Sequence, residues 1–143
     1  MQRRELIRQL LALLSQDSVL HEDEDLRPYE CDALSACRQL PLMVVLPRTE
    51  AEIIKILQLC HREQVPVVAR GAGTGLSGGA LPHAQGILLS LARLNQIIEI
   101  NPLACTARVQ PGVRNLAISQ ASSTYGLILR TGPFIANRLH HRR

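Results

Sequence analysis

The segment Arg70-Gly-Ala-Gly-Thr-Gly-Leu-Ser-Gly-Gly79 follows directly on the apolar run Val65-Pro-Val-Val-Ala69, and half of its residues are glycine. A strand that empties into such a loop lays bare backbone N–H groups. Glycine enters left-handed and extended conformations that a Cβ forbids, so successive amides can converge on one anion as a nest. The most natural anion for such a nest is a pyrophosphate. The alternative is a glycine-rich surface turn with no ligand, although hairpin turns rarely need so many glycines.

Two familiar phosphate loops are excluded by the residues beyond the glycines. Gly73, Gly75 and Gly78 match the G-x-G-x-x-G spacing of a dinucleotide fold, and Glu99 stands about where that fold places its ribose acid. That fingerprint requires a helix to open at the loop. Here Gly79, Pro82 and Gly86 come in quick succession and a new apolar run begins at Ile87, so the loop leads to a strand. A Walker-type loop needs Lys and then Ser or Thr after its last glycine, and Gly79-Ala80 stands there instead.

The pattern around the loop reads as alternating strand and helix. Met1 to Leu14 is an amphipathic helix with Leu6, Leu10, Leu13 and Leu14 on one face; Glu5, Arg8 and Gln9 interrupt the apolar stretch a signal peptide would need. Ser15 to Pro41 is polar and expected to wrap the surface. Leu42 to Leu46 is a short buried strand stopped by Pro47, and Thr49 with Glu52 forms a capping box for a helix to about Glu63. Its apolar stripe is read as Ile53, Ile54, Leu57 and Cys60, with Leu59 beside it. Val65 to Ala69 completes a βαβ unit, whose parallel strands put the glycine loop at a carboxyl edge. Gly86–Ser90, Ile97–Ile100 and Thr106–Gln110 are three further strands, with a turn at Asn101-Pro102. Pro111-Gly112 ends the sheet and Val113 opens a helix through Leu116, Ile118 and Ala121. The expected class is α/β (α+β), a small βαβ-containing sheet flanked by helices.

Composition narrows the function. The only aromatic residues are Tyr29, Tyr125 and Phe134, too few to stack the bases of a single-stranded nucleic acid. A formal charge of +4 reflects scattered arginines and a basic end, Arg138-Leu-His-His-Arg-Arg143, rather than a polyanion surface. The acidic run His21 to Asp25 reads as a solvated loop. Cys31, Cys37, Cys60 and Cys105 lack C-x-x-C spacing and the histidines form no ligand pair with them, which predicts reduced thiols, no metal and a cytoplasmic setting. No apolar stretch reaches the ~18 to 20 residues of a membrane span. Histidines 21, 61 and 83 fall in loops or on a helix surface, and no residue is assigned as catalytic.

Taken in order, Arg27-Pro-Tyr-Glu-Cys-Asp32, Val44-Val-Leu-Pro-Arg48, Val65 to Ala80 and Ala107-Arg-Val-Gln-Pro-Gly-Val-Arg-Asn-Leu-Ala117 resemble the flavin-binding domain of the FAD-linked oxidases. This is the vanillyl-alcohol-oxidase-like superfamily with a PCMH-type FAD-binding domain, and within it the glycolate oxidase D-subunit group, with D-lactate dehydrogenases next. The resemblance implies that Gly71, Ala72, Gly73, Thr74, Gly75, Leu76, Ser77, Gly78 and Gly79 wrap the FAD pyrophosphate, helped by the hydroxyls of Thr74 and Ser77. Arg70 either neutralises phosphate or pairs with an acid such as Asp32. Pro111 and Gly112 either approach the cofactor or form a simple turn, and Pro47 is read as a strand terminator. The family's chemistry, oxidation of a 2-hydroxy acid such as glycolate or D-lactate, is carried by the flavin. Implied partners are FAD and the other glycolate oxidase subunits, a second flavin subunit and an iron–sulfur subunit, with no nucleic acid and at most peripheral association with the inner membrane face.

The expected division is residues 1–41, an N-terminal helix and wrapping segment; 42–124, the first lobe of the FAD-binding domain; and 125–143, a tail outside the family pattern. Superfamily members continue with Tyr-Ala-Pro-Asp-Pro-Ser-Ser-Gln-Ile-Ala, a stretch that a shifted reading of this tail's codons can spell. The tail is therefore expected to be out of frame from near Leu127 to Leu129, without selected structure, and the chain to be an N-terminal fragment with little turnover by itself. A non-catalytic relic or subunit-docking module is the alternative.

Overall fold

The computed structural model describes residues 3–129 and 139–141, which divide into two compact units at Arg93/Leu94. In the first, α1 (Arg3–Leu13), β1 (Val19–Leu20), the short α2 (Asp23–Leu26), β2 (Met43–Val45), α3 (Glu50–Arg62), β3 (Val67–Arg70) and β4 (Ile87–Ser90) succeed one another. The sheet order is β1-β2-β4-β3. The last three strands are parallel, and β1 runs antiparallel beside β2. The expected βαβ crossover from β2 through α3 to β3 is present, but its strands are not neighbours: β4 inserts between them and pairs with both.

Strand periodicity explains that insertion. Every residue of β4 is buried, as a central strand covered on both faces demands. Met43, Val45, Ile87 and Leu89 point to one face, where they join Leu6, Leu10 and Leu14 with Ile56, Leu59 and Cys60 of α3. Val44 and Leu88 point to the other, against Leu26 and the half-buried Leu20, Tyr29 and Val68. Three successive apolar residues, Ile87, Leu88 and Leu89, let this strand fill both cores. Gly86, just before it, is packed so tightly that a β-carbon would lie 2.6 Å from the Pro66 carbonyl oxygen.

Helix α3 is capped as expected at Thr49, whose Oγ1 accepts from the Glu52 amide at 3.2 Å. The reciprocal bond differs, because Glu52 Oε2 accepts from the Arg48 amide at 2.6 Å rather than from Thr49. The apolar stripe is rotated from its expected place. Ile56, Leu59 and Cys60 are buried and Ile53 packs beside them, whereas Ile54 and Leu57 are 55% and 43% exposed. Both sets of positions satisfy helical spacing, and packing against α1 and the sheet selects one. The helix ends without glycine: Gln64 takes φ 55°, and the Val65 amide donates to the Cys60 carbonyl at 2.8 Å. The Ser15–Pro41 segment does more than wrap the surface, since it supplies β1 and buries Leu26 and Asp32.

The second unit holds an antiparallel hairpin, β5 (Ile97–Asn101) with β6 (Thr106–Val109), then α4 (Asn115–Ser122), and β7 (Leu127–Leu129) paired with β8 (Leu139–His141). These strands form sheets of their own rather than extending the first. The Asn101-Pro102 turn is present, with Asn101 Oδ1 accepting from the Ala104 amide at 3.0 Å. The last helix starts at Asn115, two residues later than expected. Ile118 and Leu127 form its core, while Leu116, expected on the apolar side, is 67% exposed. Most of the expectation for the tail falls on residues 130–138, 142 and 143, outside those described.

Candidate functional site: the glycine loop at the carboxyl edge of the parallel strands

The loop begins where β3 ends. Arg70 closes the strand, and its carbonyl accepts from the Leu91 amide at 2.9 Å. No helix opens between Gly71 and Gly86; the next regular element is β4. The loop-to-strand reading therefore holds, and the dinucleotide fingerprint lacks its helix.

Among the described residues, no backbone N–H from Gly71 to Ala80 donates to a protein acceptor, and the one bond closing the turn runs from the Leu81 amide to the Gly78 carbonyl at 3.1 Å. Thr74 and Ser77 are exposed and their hydroxyls likewise have no protein partner. Gly73 and Gly78 take φ of 70° and 72°, a region that L side chains rarely enter. No carboxylate lies within residues 70–80, and Arg70 is the only charged side chain there. A run of unspent amides without an acid fits an anion with several oxygens. The residues present thus suit the diphosphate of a dinucleotide.

Arg70 does not pair with Asp32. Its Nη1 donates to the Cys31 carbonyl at 2.6 Å and grazes the Tyr29 carbonyl at 3.5 Å, with Cζ 5.7 Å from the Tyr29 ring centroid. Asp32 is 5% exposed; its Oδ1 accepts from the Leu34 amide at 2.9 Å, and its buried Oδ2 has no partner. Tyr29, the Cys31 carbonyl and Asp32 are site neighbours to which sequence reasoning gave no role beyond an optional acid for Arg70. The usable signal was an Asx-type acid two residues before Leu34 in a chain otherwise poor in aromatics.

Pro111 and Gly112 lie in the second unit, past the end of β6. The Gly112 amide donates to the Leu94 carbonyl at 2.8 Å, so it is spent within the protein. Pro111 lines a cavity of about 270 Å³ with Ala107, Val109, Gln110, Val113 and Ile118. Among the described residues there is no His, Cys, Asp and Glu cluster suited to a metal. No helix there is long and apolar enough to cross a membrane.

The chain is 58% identical over 115 residues to glycolate oxidase subunit GlcD of Escherichia coli K12, covering 80% of this chain and 23% of that protein. It is 40% identical over 105 residues to the Bacillus subtilis subunit of the same name, covering 73% of this chain and 22% of that one. The chain thus spans under a quarter of the length of these relatives. Among solved structures, p-cresol methylhydroxylase with substrate bound aligns with a TM-score of 0.76 at 26% identity, over 90% of this chain and 26% of that one. The family described as FAD binding domain matches residues 41–136. That match contains the glycine loop, and with it the chain belongs to the FAD-binding domain family of the FAD-linked oxidases, of PCMH-type fold.

Proposed function

We propose that this chain supplies the diphosphate-holding lobe of an FAD-dependent oxidoreductase that oxidises a 2-hydroxy acid, glycolate or D-lactate. The observation that carries the reading is the row of unspent amides from Gly71 to Gly79 at the carboxyl edge of three parallel strands. Those donors and the Thr74 and Ser77 hydroxyls are the groups that would hold the diphosphate, with Arg70 at the loop's root. Pro111 and Gly112 would act through close approach of backbone and ring, since the Gly112 amide is already used. When bound, the flavin supplies the two-electron acceptor that oxidation of the alcohol requires. The substrate class is that of the glycolate oxidase relatives. Their description as subunits supports association with further chains, at most peripheral to a membrane.

The 143 residues taken alone support a second reading, a non-catalytic relic or subunit-docking module without turnover. It is favoured by the 23% share of the relative that they span, because a cleft lobe by itself encloses little of a flavin ring.

Titration of the chain with FAD and with riboflavin, which lacks the diphosphate, tests the assignment. Saturable quenching of flavin fluorescence and a raised melting temperature with FAD, but not with riboflavin, are expected. Equal or absent responses to the two ligands refute it. Dye reduction by glycolate or D-lactate then separates a catalytic from a merely binding role.

A further inference from the structure

Resting on the diphosphate reading of the loop, we infer that Tyr29 is a positioning residue for it. Tyr29 acts through Arg70, whose guanidinium is a strut between the Tyr29–Asp32 segment and Gly73 rather than the counter-charge of the phosphate.

Three contacts fix the guanidinium. Nη1 is held by the Cys31 carbonyl at 2.6 Å. The Tyr29 ring lies within cation–π range, 5.7 Å from Cζ to the centroid. The remaining atoms lie against Gly73, where a β-carbon would come 2.4 Å from Nη2, 2.5 Å from Cζ and 2.6 Å from Nε. A planar group can satisfy a ring, a carbonyl and a bare α-carbon together; an ammonium cannot.

The same segment reaches the loop a second time. Leu34 Cδ2 lies 4.0 Å from where a Gly78 β-carbon would stand, and the Leu34 amide is fixed by Asp32 Oδ1. Residues 29–34 thus approach the loop near both of its left-handed glycines, through Arg70 at Gly73 and through the Leu34 side chain at Gly78. Between these footholds lie the exposed donors of Thr74 to Ser77. A loop held open at both ends binds its anion with less ordering cost than a free one.

The test compares the chain with its Y29F, Y29L, R70K and R70Q variants, measuring affinity for FAD and for inorganic diphosphate at two salt concentrations. A strut predicts that R70K loses about ten-fold in affinity, as much as R70Q, because the charge survives but the plane does not. Y29F retains wild-type affinity, since its ring face remains, and Y29L weakens binding several-fold. The losses are equal for FAD and diphosphate, and the salt dependence stays that of the wild type. R70K binding like the wild type while R70Q flattens the salt dependence would overturn the inference, and so would undiminished binding by Y29L. Should Y29L fail to fold, R70K decides alone. Failure of the wild type to bind either ligand refutes the diphosphate reading itself, whereas normal wild-type binding with indifferent variants refutes only the strut.

Discussion

The Arg70 guanidinium occupies the space that a Gly73 β-carbon would take, 2.4 Å from Nη2. Gly73 also holds φ 70°, which costs a non-glycine residue about 1–2 kcal/mol. Gly73→Ala is therefore expected to displace the strut, lower the melting temperature by several degrees and weaken FAD binding. Gly75 has nothing within 4 Å of its β-carbon position, so Gly75→Ala is expected to melt as the wild type does. Paired thermal melts check the contrast, and equal losses would contradict it.

Helix α3 makes a second contrast. Ile56 is fully buried between the sheet and α1, whereas Ile54 is 55% exposed. Ile56→Ala should cost about 2–5 kcal/mol by removing core contacts and leaving a cavity. Ile54→Ala should stay within about 0.5 kcal/mol. Urea unfolding of the two variants measures both, and a larger loss at Ile54 would restore the stripe expected from sequence.

Asp17 should make stability sensitive to acid. The Ser15 hydroxyl, the Arg48 side chain and the charges of Arg48 and Arg93 hold its carboxyl down at about 2. Arg48 Nη2 lies 2.6 Å and Arg93 Nη1 3.1 Å from its Oδ2. A carboxyl lowered in the folded state stabilises above its unfolded value of about 4 and loses that contribution as pH falls towards the folded one. Unfolding free energy is thus expected to decline between pH 4 and 2, less steeply in Asp17→Asn. Identical acid profiles for the two proteins would refute the coupling.

The cysteines should differ in reactivity. Burial pushes the Cys60 thiol up to about 11, whereas Cys37 is exposed. Since the thiolate is the nucleophile, brief iodoacetamide treatment at pH 8 should label Cys37 and spare Cys60 until denaturant is added. Peptide mapping checks this, and early labelling of Cys60 would show that α3 opens locally.

Local signals were legible wherever one residue decides its own surroundings. The Thr49 cap, the stop at Pro47, the turn at Asn101 and the absence of a helix after Gly78 all arise from backbone chemistry within a few residues. Choices between equivalent local patterns were not legible. Ile53, Ile54, Leu57 and Cys60 fit a helical stripe as well as Ile53, Ile56, Leu59 and Cys60 do, and only the sheet and α1 distinguish them. Likewise nothing in Val19-Leu20 marks it as an edge strand until Val44 and Val45 lie beside it.

At the site, the sequence by itself determined the glycine loop, its place after a parallel strand and the family to which these belong. Glycine content and strand periodicity are properties of contiguous residues. The partner of Arg70 was decided only by the tertiary structure, which brings Tyr29 and Cys31 to it from some forty positions away and leaves Asp32 to fix its own turn. A long cationic side chain reaches carboxylate, phosphate or carbonyl with equal ease. Which one it meets depends on how distant segments pack, and no local pattern encodes that.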